Sequence, residues 1–323
     1  MGTEKPTRLV FLGIGGSTGK TTLATNLTCA LANRGKQMRY IDGDQQGDGS
    51  RLMRYAEAPL VLADVLGDEL VVEDPSAPHG FRAPQMREIE LDLLRDTDDE
   101  AEATGGFGPG YAGGIAAEWM SRITVIPSGT GPKGSNLAES ITKKERLAAG
   151  IGSRQIIAAF ESIDAGLPPD QMPDIEILDL AGFKQTMSYI GMEWANGGGS
   201  RSGKSGIIAV ATPDEKGMGT HLTAVFDMLD EVASLYPDLE VLAIIPTRTR
   251  NKNQGAFYAE MLTLLQTDEH HGHLVTPPVR EAVYAGEAFR LREPLLAYAP
   301  GEGVTLDQEK VVDWLVEKGV VII

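Results

Sequence analysis

Gly15-Gly16-Ser17-Thr18-Gly19-Lys20-Thr21-Thr22 stands between the apolar run Leu9-Val10-Phe11-Leu12 and a helical pattern that opens at Leu23-Ala24-Thr25-Asn26-Leu27. A strand that passes through a glycine-rich turn straight into a helix admits few folds, because the helix must pack back on its strand and a parallel strand must follow. Glycines let successive backbone N–H groups converge on an anion, and the helix N-terminus adds its positive dipole end. Lys20 then reaches the β and γ phosphates and the Thr21 hydroxyl holds magnesium. A glycine-rich turn with only a structural task has no need of the Gly19-Lys20-Thr21 triplet. The expected ligand is a purine nucleoside triphosphate, ATP with Mg2+, cradled by Gly15, Gly16, Ser17, Thr18, Gly19, Lys20, Thr21 and Thr22.

Strand-like runs at 8–14, 37–41, 122–126, 174–180, 206–211 and 239–245 alternate with helical patterns that begin near Lys20, Gly134, Lys216, Gln254, Glu281 and Asp307. That order predicts an α/β fold with a doubly wound, mostly parallel sheet flanked by helices. Residues 1–323 read as one domain carrying an acidic, glycine-rich insertion at about 73–119, and 195–205 reads as a mobile surface loop. In such sheets ligands lie beyond the carboxyl ends of the strands, so the residues just after each strand carry the most information.

Two of those ends carry carboxylates. The second strand runs into Asp42-Gly43-Asp44-Gln45-Gln46-Gly47-Asp48. There Asp44 first, and Asp42 after it, can order magnesium or an attacking water near the γ-phosphate; an acidic turn with Asx-type capping is the structural alternative. The fourth strand ends Ile177-Leu178-Asp179-Leu180-Ala181-Gly182, placing Asp179 toward the metal.

Acidic residues outnumber basic ones 46 to 29, a formal charge of −17, which argues against whole-surface affinity for DNA or anionic lipid. The single cysteine, Cys29, excludes an intramolecular disulfide and a Cys-rich zinc site. No apolar run reaches the roughly 18 residues of a membrane span, and no signal-like segment precedes the first strand, so a cytoplasmic protein is expected. His270, His271 and His273 read as exposed loop residues, and the amphipathic 311–318 as a helix packed on the core, with membrane binding unlikely.

The run from Gly15 to Gly47, with Ala30-Leu31-Ala32, Arg34-Gly35-Lys36 and Ile41-Asp42-Gly43-Asp44-Gln45-Gln46-Gly47, resembles the ParA/MinD family of deviant-Walker ATPases. Ile123 to Pro127, the Asp179 strand, Arg248 to Gln254 and Pro277 to Leu296 follow in the family's order. The resemblance implies an ATP hydrolase that forms a nucleotide-dependent homodimer, is slow until a partner protein stimulates it, and partitions or positions cargo such as a plasmid. It makes Lys20 and Thr21 phosphate and magnesium residues, Asp44 the water-orienting carboxylate, and Asp179 an indirect magnesium residue. Adenine contacts fall to Pro246, Thr247 and Pro278. Nonspecific DNA would meet Arg248, Arg250, Arg280 and Arg290. One departure stands out: the family's signature lysine, five residues before the P-loop lysine, is here Gly15, which leaves Lys133 and Arg248 as substitute cations. Two other readings accompany this one: a P-loop enzyme that uses ATP on a small molecule held by 73–119 and 128–133, and a weakly hydrolysing nucleotide-dependent adaptor.

Overall fold

Each long strand of the chain is an almost unbroken apolar run, the pattern required of a sheet covered on both faces. The computed structural model describes residues 5–16, 18–55, 58–67, 72–76, 81–82, 84–93, 115–129, 137, 139–142, 152–165, 167–182, 186–250 and 256–323. Its strands are β1 (Thr7–Leu12), β2 (Met38–Gly43), β3 (Val72–Glu73), β4 (Phe81–Arg82), β5 (Leu91–Asp92), β6 (Ile123–Ile126), β7 (Ile175–Leu180), β8 (Gly206–Ala211) and β9 (Val241–Pro246). Seven of them form one sheet in the order β5-β6-β2-β7-β1-β8-β9, while β3 and β4 pair separately. All neighbours in the large sheet are parallel except β5, which joins β6 antiparallel at the edge.

The six expected strands are present, each with ends within two residues of the predicted ones. Helix α1 (Lys20–Asn33) follows β1 directly, and its face from Leu23 to Ala32 is buried. The helix Thr186–Asn196 precedes β8, and a π-helical turn Lys216–Leu222 leads into the helix Thr223–Val232. Of the helix expected from Gly134, the described residues 137 and 139–142 are helical; Gln254 lies outside the described residues, ahead of the helix Ala256–Gln266. Most of the acidic run and the glycine-rich 105–110 also lie outside them. The C-terminal helix Gly303–Glu317 buries Val311, Val312 and Leu315 in the core. Among the described residues no helix is long and apolar enough to cross a membrane.

The segment 195–205 differs from expectation. Ala195 and Asn196 complete a helix, Ser202 N donates to Thr7 Oγ1 at 2.9 Å, and Gly203 bridges to Val321. It is a packed connection rather than a mobile loop, because its backbone groups are taken up by the first strand and the chain's last residues.

At the sheet's other end three charged residues sit in register: Arg8 of β1 and Arg39 of β2 both face Glu176 of β7, the strand between them. Arg8 Nε donates to Glu176 Oε2 at 2.9 Å, and Arg39 Nη1 donates to Glu176 Oε1. All three are buried, so each charge needs a partner. Glu161 takes a second bond from Arg8 at 2.5 Å, and Glu90 and Asp164 each take one from Arg39 at 2.7 Å.

Candidate functional site

The chain leaves β1 toward β2 on one side, and later crosses from β7 to β8 on the other. The loops after β1 and β7 therefore meet where the sheet's winding reverses, the place where open α/β sheets bind ligands. Gly15 N donates to Gly182 O at 2.7 Å. A Cβ on Gly182 would lie 2.5 Å from Gly15 O, so that position requires glycine.

The loop then climbs through Gly19, in the left-handed region at φ 80, and opens α1 with no side-chain cap, leaving the first helical N–H groups for a ligand. Lys20 is 5% exposed, and its Nζ donates to Asp179 Oδ1 at 2.5 Å. The hydroxyl of Tyr40 donates to the other carboxylate oxygen, Asp179 Oδ2, at 3.1 Å. Burial, with the Asp179 carboxylate beside it, pushes the Tyr40 phenol well above its ordinary range, so it remains a donor. In this arrangement Asp179 neutralises the buried Lys20 ammonium.

An open cleft of about 420 Å3 lies over this loop, walled by Gly15, Gly16, Thr18, Gly19, Lys20, Thr21 and Thr22 on one side and Asp44, Gln46 and Asp48 on the other. Ser17 lies outside the described residues. Asp44 is half-buried, and its Oδ1 accepts from Gln46 N at 2.9 Å, an Asx turn that fixes the carboxylate at the cleft wall. The Thr21 hydroxyl with Asp44 and Asp48 gives oxygen donors of the kind magnesium takes, so the residues fit that ion.

Asp42 is different and corrects its place among the catalytic candidates. It is fully buried, away from the cleft walls, and accepts from Ser50 N at 2.7 Å, Ser50 Oγ at 2.6 Å and Asp44 N at 3.1 Å. It braces the turn that presents Asp44. Burial first, then the Asp179 charge, push its carboxyl up to about 7 against the effect of those donors.

A second cleft of about 350 Å3 adjoins the first and shares Gly19, Thr22 and Phe289 with it. Leu23, Val279, Ala282, Ala285 and Val304 make it largely apolar, and Gln308 is among its polar walls. A flat ring attached to a phosphate chain fits that outline. Thr247 lines it, although its hydroxyl donates to Thr18 O at 2.5 Å and so ties β9 to the phosphate loop. Pro246 and Pro278 are not among its walls; Pro246 O instead accepts from Val279 N at 2.8 Å, which brings Val279 in their place.

The basic residues expected to meet DNA are largely occupied. Arg248 Nη2 and Arg250 Nε donate to Glu281 at 2.7 and 2.8 Å, and Arg280 holds Asp307 through two bonds of 2.6 and 2.9 Å. Arg290 is exposed, and Lys133 lies outside the described residues. Tyr40, Phe289 and Gln308 escape a motif-based reading because none belongs to a local pattern; each enters the site through contacts between distant segments, whereas Asp48 comes with the Asp42 to Asp48 run.

Residues 9–288 match a family described as the CobQ/CobB/MinD/ParA nucleotide binding domain. No curated protein matches the sequence. Among solved structures the fold is similar to a variant of Cyanothece McdA in complex with ATP, with TM-score 0.62 and 16% identity over 98% of this chain and 96% of that one. It is similar to the septum site-determining protein MinD of Pyrococcus horikoshii with Mg-ADP, with TM-score 0.61 and 14% identity over 96% of both. A plasmid partition protein from Borrelia burgdorferi gives TM-score 0.60 and 10% identity over 98% of this chain and 100% of that one.

Proposed function

The chain belongs to the CobQ/CobB/MinD/ParA nucleotide-binding family, and from that premise we propose that it is a ParA-like ATPase, one P-loop domain that binds ATP with magnesium and changes its self-association with nucleotide state to partition or position a cargo. The observation that carries this reading is the buried Lys20–Asp179 pair at the floor of a phosphate-sized cleft that continues into an apolar, ring-sized one. ATP placed with its phosphates over α1 draws the Lys20 ammonium from Asp179 to the phosphate oxygens. Thr21 and Asp44 would hold magnesium, whose charge would offset that of the phosphates, and Asp44 orients water from its Asx turn. The Gly15 position brings no cation to the phosphates, so turnover is slow until a partner protein supplies what the site lacks. Self-association follows from the open cleft, whose phosphate side a second copy can cover. With three of the four arginines in ion pairs, DNA contact is weak.

Light scattering of the protein with ADP and with a non-hydrolysable ATP analogue tests the switch. A dimer with the analogue and a monomer with ADP are expected. Brisk hydrolysis by a protein that stays monomeric throughout overturns this reading in favour of an enzyme acting on a small molecule.

A further inference from the structure

Gln308, on the C-terminal helix Gly303–Glu317, is only 3% exposed as a residue; its side-chain amide makes no hydrogen bond among the described residues and is not sealed in the interior, since the residue lines the second cleft. An unpaired amide on a cleft wall is open to water or to a ligand. The polar groups around it are already committed. Asp307 holds Arg280 and Lys310, the Thr305 hydroxyl donates to Ala299 O, the Thr247 hydroxyl to Thr18 O, and Glu281 takes Arg248 and Arg250. Gln308 is thus an uncommitted donor and acceptor on the wall of the apolar cleft that adjoins the phosphate loop.

We propose that Gln308 reads the hydrogen-bonding edge of the nucleotide base and makes the site selective for a 6-aminopurine; this rests on the nucleotide reading above. A carboxamide presents an acceptor beside a donor. Adenine presents the complement, an exocyclic N–H beside a ring nitrogen, and the two meet through paired bonds. Leu23, Val279 and Val304 supply apolar contact for the ring, and Phe289, shared by both clefts, stands where base and phosphates divide. A ligand lacking the 6-amino group leaves the amide half-satisfied in an apolar surround, and that is how hydrogen-bonding sites reject analogues.

The test is calorimetric titration of the full chain, wild type and Gln308→Leu, with three magnesium-loaded ligands: ATP, purine riboside triphosphate (which lacks only the 6-amino group) and inorganic tripolyphosphate. Wild type should prefer ATP over purine riboside triphosphate by about 10- to 100-fold. Gln308→Leu should lose that preference and bind tripolyphosphate as wild type does. Its melting temperature should not fall, since the amide removed makes no hydrogen bond within the described residues; a fall in melting temperature would mean a structural residue and overturn the proposal. So would an ATP preference that survives in the variant, or none in wild type. If wild type binds tripolyphosphate without preferring ATP, Gln308 alone is misassigned; if it binds none of the three, the nucleotide reading fails with it. Should Gln308→Leu not fold, the two triphosphates compared on wild type decide.

Discussion

The imidazole of His221 stands where a side chain on Gly15 would begin: a Cβ built there lies 2.3 Å from His221 Cε1 and 2.5 Å from Nδ1. The ring is carried by the π-helical turn Lys216–Leu222, and Nδ1 is buried without a hydrogen-bond partner. Burial first, then the nearby Lys216 charge, hold its pKa below the usual imidazole range, so it is neutral at pH 7. Gly15 itself sits at φ 117, where a side chain is strained whatever the space. A side chain at position 15 is therefore opposed both by the backbone and by the His221 ring.

Gly15→Lys is expected to destabilise the protein by about 2 to 5 kcal/mol, from backbone strain and overpacking together, and to weaken ATP binding. Adding His221→Gly should recover only part of the loss, because the backbone strain remains. Urea unfolding of the single and double variants measures this. A Gly15→Lys protein as stable as wild type would show that the His221 contact does not constrain the loop.

Removing the counter-ion from Lys20 should help phosphate and hurt magnesium. Asp179→Asn leaves the ammonium unpaired, so tripolyphosphate without metal is expected to bind about tenfold tighter, while the gain from added magnesium shrinks. Lys20→Ala should reduce ATP affinity at least about 100-fold and cost about 3 kcal/mol of stability, since Asp179 is left buried without a cation. Calorimetry with and without magnesium checks both. Unchanged ATP affinity in Lys20→Ala moves the site elsewhere.

Asp44→Ala should leave ATP affinity within about threefold of wild type while turnover falls at least about tenfold, because the carboxylate is assigned to water and metal rather than to the nucleotide's bulk. Steady-state kinetics beside equilibrium binding separate the two. Normal turnover with weakened binding would make Asp44 a binding residue only.

Asp42 gives the protein an acid-side stability that it loses toward neutrality. Its carboxyl is raised from the ordinary 3.8 to about 7 in the fold. Between those values the folded state binds the proton and the unfolded chain does not, so this stabilisation is complete below about pH 4 and lost as pH rises through about 7. Asp42→Asn should remove that slope, which is on the order of a few kcal/mol across the window. Denaturant midpoints at pH 5 and pH 8 decide: an equal pH response in wild type and variant would mean that Asp42 stays ionised.

Glu281 restrains two arginines at once, and the two pairings lower its pKa, Arg248 first and Arg250 next. Glu281→Gln should strengthen binding to nonspecific duplex DNA several-fold and steepen its salt dependence. Fluorescence anisotropy at two salt concentrations reads this, and no change would exclude these arginines from any DNA contact.

The phosphate loop, the parallel strands and the Asp44 turn were legible because each is a local pattern: apolar runs, a glycine-rich turn, an Asx motif. Asp42 and Asp44 look alike in sequence, and only the Ser50 donors on the following helix turn one inward and leave the other at the cleft. Pro246 and Pro278 adjoin Thr247 and Val279 of the second cleft without lining it, because one strand-to-loop hydrogen bond gives the cleft wall to Val279. The edge strand β5 is two residues long and antiparallel, too short to carry a period. His221 and Gln308 gain their meaning from partners far along the chain, Gly15 and the cleft, which no window of sequence contains.

The Arg8–Glu176–Arg39 register has a consequence for how the chain is made. A ribosome that has released β1, α1 and β2 has produced two strands that belong on either side of a third not yet synthesised, each bringing a guanidinium to the place where Glu176 will sit. Until β7 emerges, closing those strands on each other would set like charges together in a dry interior. The first βαβ unit is thus discouraged from settling into a wrong sheet of its own, and the vacancy it keeps is filled by the strand that brings Asp179 to Lys20.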